Sequence, residues 1–242
     1  MVSKAFSQKI NEWDKKIVLK YNGFGGKPLI ILLRIISFFG RETIWLFLIA
    51  FYLLIWYDPF LLSYISGVYL TGLVLVLILK QIVKRERPFE RINEEELKVF
   101  EKKPLSRSFP SWHSYNVMAQ GLLIGIFFLE SPFVSLLLFI FAVLVSFSRV
   151  QLGVHYPSDV IFGCILGFIG FVISIYLISP LIFRILVYLE QFIVNIQYQQ
   201  INSLLFHNFA YFLISLSVFF IIFLLAFYKK INDYFKQKKE KT

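Results

Sequence analysis

Six apolar runs, near 43–58, 60–82, 114–129, 132–149, 160–178 and 206–228, constrain this chain more than any other feature. A bilayer core about 30 Å thick takes about 20 apolar residues of helix to cross. Leu, Ile and Phe line the runs all round, without strand-type alternation, so they read as helices that satisfy their own backbone hydrogen bonds in lipid. Composition agrees, since 58% of residues are hydrophobic, 19% aromatic and only 17% charged, far from an ordinary soluble domain. The expected fold is all-α: a polytopic membrane helix bundle of about six transmembrane helices, in the cell membrane, with an N-terminal interfacial helix.

The flanking segments are expected to lie outside the spans. Residues 1–42 read as an interfacial segment, in which Lys4, Lys9, Lys15 and Lys16 are scattered without the continuous apolar stretch of a cleavable signal peptide. Residues 28–41 are too short to cross and carry Arg34 in their middle, so they lie on or dip into the interface. Arg184 and Glu190 interrupt 180–200 and favour an interfacial helix there over a seventh span. The chain then divides into a core at 43–178, an interfacial helix plus last span at 179–228, and a basic tail at 229–242. A lone Cys164 excludes an intrachain disulfide.

Polar residues cluster at the span ends. Span two runs into KQIVKRERPF, span three follows PSWHS, and SFSRVQLGVHYPSD joins spans four and five. Because consecutive helices alternate direction, parity puts all three clusters on one membrane face. Lys80, Lys84, Arg85 and Arg87 have an ordinary reading as snorkelling cations. PSWHS alone reads equally as a serine cap with an interfacial tryptophan. SRVQLGVHYPSD is harder to dismiss, because an arginine, a histidine and an aspartate share one short loop at a membrane surface.

Lys80, Arg87 and Arg149 supply three cations suited to the oxygens of one tetrahedral anion, as in a phosphate. Seven residues of helix rise about 10.5 Å, which puts Lys80 and Arg87 on one side of a continuous helix, and Pro88 ends the segment. Spans three and five both begin on this face, so their free backbone N–H groups favour an anion. Ser111 sits near the first of these caps. Pro157 suits a first turn, which places Asp159 where its carboxylate reaches back to His155. A histidine oriented by an aspartate and facing a cationic pocket points to nucleophilic catalysis: His155 attacks phosphorus, Asp159 fixes its tautomer, and His113 protonates the leaving oxygen. The cations hold the transition-state oxygens. No metal or other cofactor is needed for charge neutralisation, and two histidines without a third ligand at a familiar spacing make a poor zinc site.

Lys80-x6-Arg87-Pro88, Pro110-Ser111-x-His113 and Ser148-Arg149-x5-His155-x3-Asp159, in that order, resemble the three-part signature of the type-2 phosphatidic-acid phosphatases, which share a core with acid phosphatases and vanadium haloperoxidases. The resemblance, covering about 60–178, implies a metal-independent membrane phosphatase of lipid phosphates or pyrophosphates. It implies His155 as nucleophile, His113 as general acid, and Lys80, Arg87, Ser111 and Arg149 as phosphate-binding residues. Trp112 stands where the family usually has glycine. It keeps a backbone N–H for the phosphate but adds a ring, which acts either as a wall of the pocket or as an interfacial anchor.

Rival readings are a lipid phosphotransferase using the same phosphohistidine, and a non-catalytic transporter or scaffold for anionic lipid, which leaves the His155–Asp159 pairing unexplained. The net charge of +10 suits anionic lipid substrates, whether phospholipids or isoprenyl pyrophosphates, and membrane lipids generally. Nothing calls for nucleic acid or an obligatory protein partner. The cation count of the loops places the clustered face in the cytoplasm, whereas the resemblance implies the opposite face.

Overall fold

The computed structural model describes residues 2–193 and 196–239, with side chains over 8–193 and 196–226. Eleven α-helices follow one another among the described residues: α1 Val2–Tyr21, α2 Gly26–Phe38, α3 Glu42–Leu54, α4 Pro59–Val83, α5 Pro88–Arg91, α6 Trp112–Leu122, α7 Pro132–Gln151, α8 Pro157–Ile173, α9 Ser179–Glu190, α10 Leu204–His207 and α11 Phe209–Lys239. Single π-helical turns, Leu123–Phe128 and Ser174–Ile178, extend α6 and α8. Extended pairing among the described residues is limited to one isolated antiparallel bridge, Trp56 to Ile201. The all-α expectation holds.

Four segments are long and apolar enough to cross a membrane: Pro59–Arg91, Pro132–Gln151, Pro157–Glu190 and Phe209–Ala226. They coincide with four of the six expected spans. The other two, near 43–58 and 114–129, are also helical, as α3 and as α6 with its π turn, but are shorter. The protein is a multi-pass integral membrane protein. Residues 180–190 are helical as part of α9 and fall within the apolar segment Pro157–Glu190. The segment read as a basic tail is helical as far as Lys239, and the final three residues lie outside the described residues.

Two compact units emerge, Met1–Arg41 with Gly67–Ser179, and Glu42–Ser66 with Pro180–Thr242. In the second, Phe47 of α3 packs on Phe219 of α11 at 4.7 Å between ring centroids, and Tyr211 donates to the Leu54 carbonyl at 2.8 Å. Glu190, the acid that interrupts its apolar run, accepts from Tyr57 at 2.7 Å and Tyr198 at 2.9 Å.

The first unit holds the sequence clusters and is built on α6. The start of this helix packs Ser111, Ser114, Tyr115 and Met118 against Gly163, Gly167 and Gly170 of α8, glycines that let the backbones approach, the usual device where helix association gains nothing from the hydrophobic effect. A Cβ at Gly163 would lie 2.6 Å from the Ser111 carbonyl oxygen, so a side chain there would push the two helix starts apart. Tyr115, fully buried, fills the space left by Gly72 and Gly170 and donates to the Val68 carbonyl at 2.9 Å, while Gly167 lies against the Met118 side chain and the Tyr115 carbonyl. The N-terminal helix is no passive interfacial rod, since Asp14 and Val18 are fully buried against the unit. Arg34, the cation within α2, donates to the Phe100 carbonyl.

A branched side chain opposite Tyr115 has nowhere to go. Gly170→Val is expected to destabilise the protein by about 1–3 kcal/mol, seen as a lower thermal midpoint in detergent, with Tyr115→Phe milder because the ring is retained.

Candidate active site

Proline placement fixes three chain turns that bring the clusters together. Lys84 adopts a left-handed conformation (φ 48), α4 stops at Val83, and Arg87 is extended (φ −81, ψ 160) ahead of Pro88. Lys80 and Arg87 therefore do not share one continuous helix as the seven-residue spacing suggests. The break lets Arg87 turn inward while Lys80 stays on α4. Ser111 caps α6, its hydroxyl accepting from the Ser114 amide at 3.4 Å. Pro157 opens α8, and Asp159 accepts from the Tyr156 amide at 2.9 Å.

His155 is nearly inaccessible, and its Nε2 lies 3.1 Å from Nη1 of Arg87. A guanidinium only donates, so Nε2 is the acceptor, its lone pair facing the cations, and the ring proton resides on Nδ1. Nδ1 faces Asp159 at 3.5 Å but makes no hydrogen bond of good geometry. The expected reach of the carboxylate toward the imidazole is thus met in placement, while its oxygens are engaged elsewhere. Oδ2 accepts from the Ser108 hydroxyl at 2.5 Å as well as from Tyr156, and Oδ1 accepts from Arg85 at 2.7 Å. Burial, then Arg87, Arg149 and Lys80, push His155 well below its ordinary pKa of 6.5, so the ring is neutral.

Main-chain oxygens hold Arg87 and Lys80, and side chains hold Arg149. Arg87 donates to the carbonyls of Ser106 and Val154, each at 2.7 Å, and Lys80 to that of Arg107 at 2.5 Å. Arg149, buried, donates to Ser37 at 2.5 Å and to Glu101, which also accepts from Arg41 at 3.0 Å. Burial alone would raise Glu101, but Arg149 and Arg41 outweigh it and hold the carboxyl below its ordinary value. Nε of Arg149 and Nε2 of His113 are buried without partners, the state of groups that await a ligand's oxygens. His113 stands at the second position of α6, where Trp112 and His113 amides have no acceptor within the helix. Ser111 accepts from Ser114 and retains its own proton to donate. The indole of Trp112 stacks on Tyr115 at 5.7 Å and meets Tyr69 edge-on at 5.8 Å, so its ring is tied into the helix packing.

All eight residues singled out in the sequence lie in the first unit, and contacts join the three clusters. Arg87 meets His155, and the Ser111 amide donates to the Asp159 carbonyl at 3.0 Å. Sequence reasoning missed the residues that orient them. Arg85, set aside as a flanking cation, bridges Asp159 and Asp14 of α1, the latter at 2.5 Å, and stacks 4.3 Å over Tyr156. Asp14 also accepts from the Ser158 amide at 2.9 Å, capping α8 from a distant helix. The one available signal was Asp14 itself, an acid among the lysines of an amphipathic segment.

The sequence model of the PAP2 superfamily matches residues 60–183. This chain belongs to the PAP2 superfamily. It is similar to undecaprenyl-diphosphatase of Sulfolobus acidocaldarius, 34% identical over 137 residues that make up 56% of this chain and 64% of that one. It is also similar to phosphatidylglycerophosphatase B of Bacillus subtilis, 32% identical over 153 residues, 60% of this chain and 63% of the other. The matched region thus spans less than two thirds of either relative. Among solved structures, Aquifex aeolicus LpxE shares the fold with a TM-score of 0.57 at 22% identity, covering 66% of this chain and 93% of its own. The PAP2 match runs from the start of α4 into α9 and takes in all eight residues.

Removing Arg85 leaves Asp159 ionised near Nδ1 without its strongest counter-charge, while Lys80, Arg87 and Arg149 still face the ring. The carboxylate then favours the imidazolium, so Arg85→Ala is expected to raise the pKa of His155, read by NMR of labelled histidine, of which the chain has three. Stability should fall by about 3–5 kcal/mol because Asp14 also loses its partner. Arg85→Lys should restore the titration in part.

Proposed function

We propose that this PAP2 protein is a membrane phosphatase that removes a phosphoryl group from a lipid phosphate or pyrophosphate through a phosphohistidine on Nε2 of His155. One observation carries the reading most directly: Arg87 donates to Nε2, which leaves the lone pair of a neutral imidazole pointing at the cation cluster. A nucleophile needs that tautomer and protonation state.

In this mechanism the substrate phosphate displaces weaker contacts and lies among Lys80, Arg87 and Arg149, with the hydroxyl of Ser111 and the amides of Trp112 and His113 as further donors. Nε2 forms the P–N bond as the P–O bond to the lipid or to its remaining phosphate breaks, and His113 gives its proton to the departing oxygen. Proton transfer onto His113 beforehand comes with the substrate, whose negative charge offsets the surrounding cations. Asp159, through Oδ2, favours the positive charge that develops on the ring. His113, then unprotonated, takes a proton from water, water attacks phosphorus, and the P–N bond breaks to give inorganic phosphate. The cations supply the charge stabilisation that magnesium gives other phosphoryl-transfer sites, so the reaction is proposed to be metal-independent.

The named relatives act on an undecaprenyl diphosphate and a phosphatidylglycerophosphate. Both are phosphoryl groups on long apolar chains at a membrane surface, and that class is the proposed substrate here. Hydrolysis is favoured over transfer to a second lipid because His113 can serve water without a further binding site.

Purified protein should release phosphate from such lipids in the presence of EDTA and be inhibited by vanadate; activity lost to EDTA and restored by a divalent ion would overturn the metal-independent reading. His155→Ala should abolish both turnover and an acid-labile phosphoenzyme, whereas His113→Ala should slow turnover by about 10²–10⁴-fold. The depressed pKa of His155 has its own consequence for pH. The nucleophile stays unprotonated as pH falls through 6.5, so kcat/KM should hold level there and decline only at lower pH. A decline beginning above that value and abolished by perturbing His155 would contradict the assignment.

A further inference from the structure

The Arg107–Phe109 segment serves two places at once. Its Arg107 carbonyl and Ser108 hydroxyl meet Lys80 and Asp159, while the side chains of Arg107 and Phe109 line a separate groove of about 920 Å³ between α1, the end of α4 and α8. One wall of the groove is apolar. Trp13 of α1 is 45% exposed, and Ile161 and Ile165, one turn apart on α8, are each 51% exposed. Phe162 joins them and packs on Phe109 at 4.7 Å between ring centroids. These α8 residues belong to a segment apolar enough to cross the membrane, so this wall is continuous with the lipid-facing surface.

The other end of the groove is cationic. Of the four basic residues that line it, Arg91 is paired with Glu86 at 2.7 Å, and Arg85 is engaged by Asp14 and Asp159. Lys84 and Arg107 remain; their side chains make no hydrogen bond or ion pair among the described residues, although the charge of Arg107 acts on Glu86, which also lines the groove and is paired with Arg91. Lys84 is also one of the few non-glycine residues with positive φ, a conformation that L residues rarely adopt and that tends to persist where it places a side chain for use.

A ligand that satisfies both ends is amphipathic and anionic. A soluble anion would leave the Trp13–Ile165 wall bare, and a zwitterionic lipid would bring its own cation to Lys84 and Arg107. We infer that the groove binds one anionic phospholipid of the surrounding bilayer, its phosphodiester on Lys84 and Arg107 and an acyl chain along Ile161, Phe162 and Ile165. The inference concerns a phosphodiester, which is no substrate for a phosphomonoesterase or pyrophosphatase, and it stands apart from the catalytic reading. Because the Arg107 carbonyl receives Lys80, a lipid held by the Arg107 side chain also steadies one wall of the catalytic pocket.

Trp13 reports occupancy directly. The full chain is reconstituted in phosphatidylcholine vesicles containing phosphatidylglycerol, with brominated acyl chains on one lipid or the other, and the Trp13 signal is taken as the difference from a Trp13→Phe variant. Brominated phosphatidylglycerol should quench that signal with an affinity preference of roughly tenfold over brominated phosphatidylcholine, as two basic residues at a membrane surface can supply. The double variant Lys84→Gln, Arg107→Gln should lose the preference while retaining quenching by phosphatidylcholine, which shows that the fold and the apolar wall survive. Equal quenching by both lipids in the unaltered chain means an ordinary annular contact and overturns the proposal, as does a preference that persists in the double variant. Phosphate release plays no part in this readout, so its success or failure is independent of the enzyme assay.

Discussion

Three cations gathered around one imidazole repel each other, and much of the first unit is arranged to offset that repulsion. Lys80, Arg87 and Arg149 would be unstable together in a low-dielectric site unless their donors met acceptors. The connection from α4 to α6 supplies those acceptors. It turns the carbonyls of Ser106 and Arg107 toward Arg87 and Lys80 and sends Glu101 to Arg149, while Val154 gives its carbonyl from the loop before α8. The backbone of that connection, which holds the short α5 and is otherwise irregular, is therefore a component of the site and is tied firmly to the unit. Asn22 exchanges hydrogen bonds with the Lys98 backbone, and Phe100 donates to the Leu152 carbonyl at 3.1 Å.

Asp159 shows how one carboxylate meets several local demands. As the third residue of α8 it accepts the amide of Tyr156 and stabilises the helix start. The same group holds Ser108, and hence the connection, and it receives Arg85. Its charge is shared among these donors, so it acts on His155 from 3.5 Å as a moderated field, without a direct hydrogen bond. That arrangement leaves a negative group beside Nδ1 of an imidazole whose other face meets cations.

What was legible in the sequence follows from range. The caps of α6 and α8, Pro157 at a helix start and the extended Arg87 before Pro88 are decided within three or four residues, and each is found where the residue types place it. The meeting of the three clusters was also legible, because direction alternates along consecutive apolar helices. The break at Lys84 was not, since nothing but a left-handed residue marks it, and lysine gives no sign of that conformation. Nor was the partner of Arg149, because Glu101 lies 48 residues away in a loop whose composition is that of any charged surface segment. The π turn at 174–178 likewise gives no composition signal.

The same reasoning applies to the packing of α1. Its lysines and its lack of a long apolar stretch describe a helix at the membrane interface, and they say nothing about the face opposite. That face carries Asp14, fully buried, and a buried aspartate in a membrane protein requires donors. The donors it finds are Arg85 and the start of α8, with Ser158 contributing both its amide at 2.9 Å and its hydroxyl at 2.5 Å. Arg85 in turn would carry an uncompensated charge at the base of the groove if α1 were absent, and Asp159 would then be its only acid. An amphipathic helix thus joins the first unit through one ion-pair chain, Asp14 to Arg85 to Asp159, whose far end stands beside His155. That chain, together with Val18 buried against Ile92, Leu97, Val150, Tyr156 and Val160, makes α1 an integral part of the fold around the site.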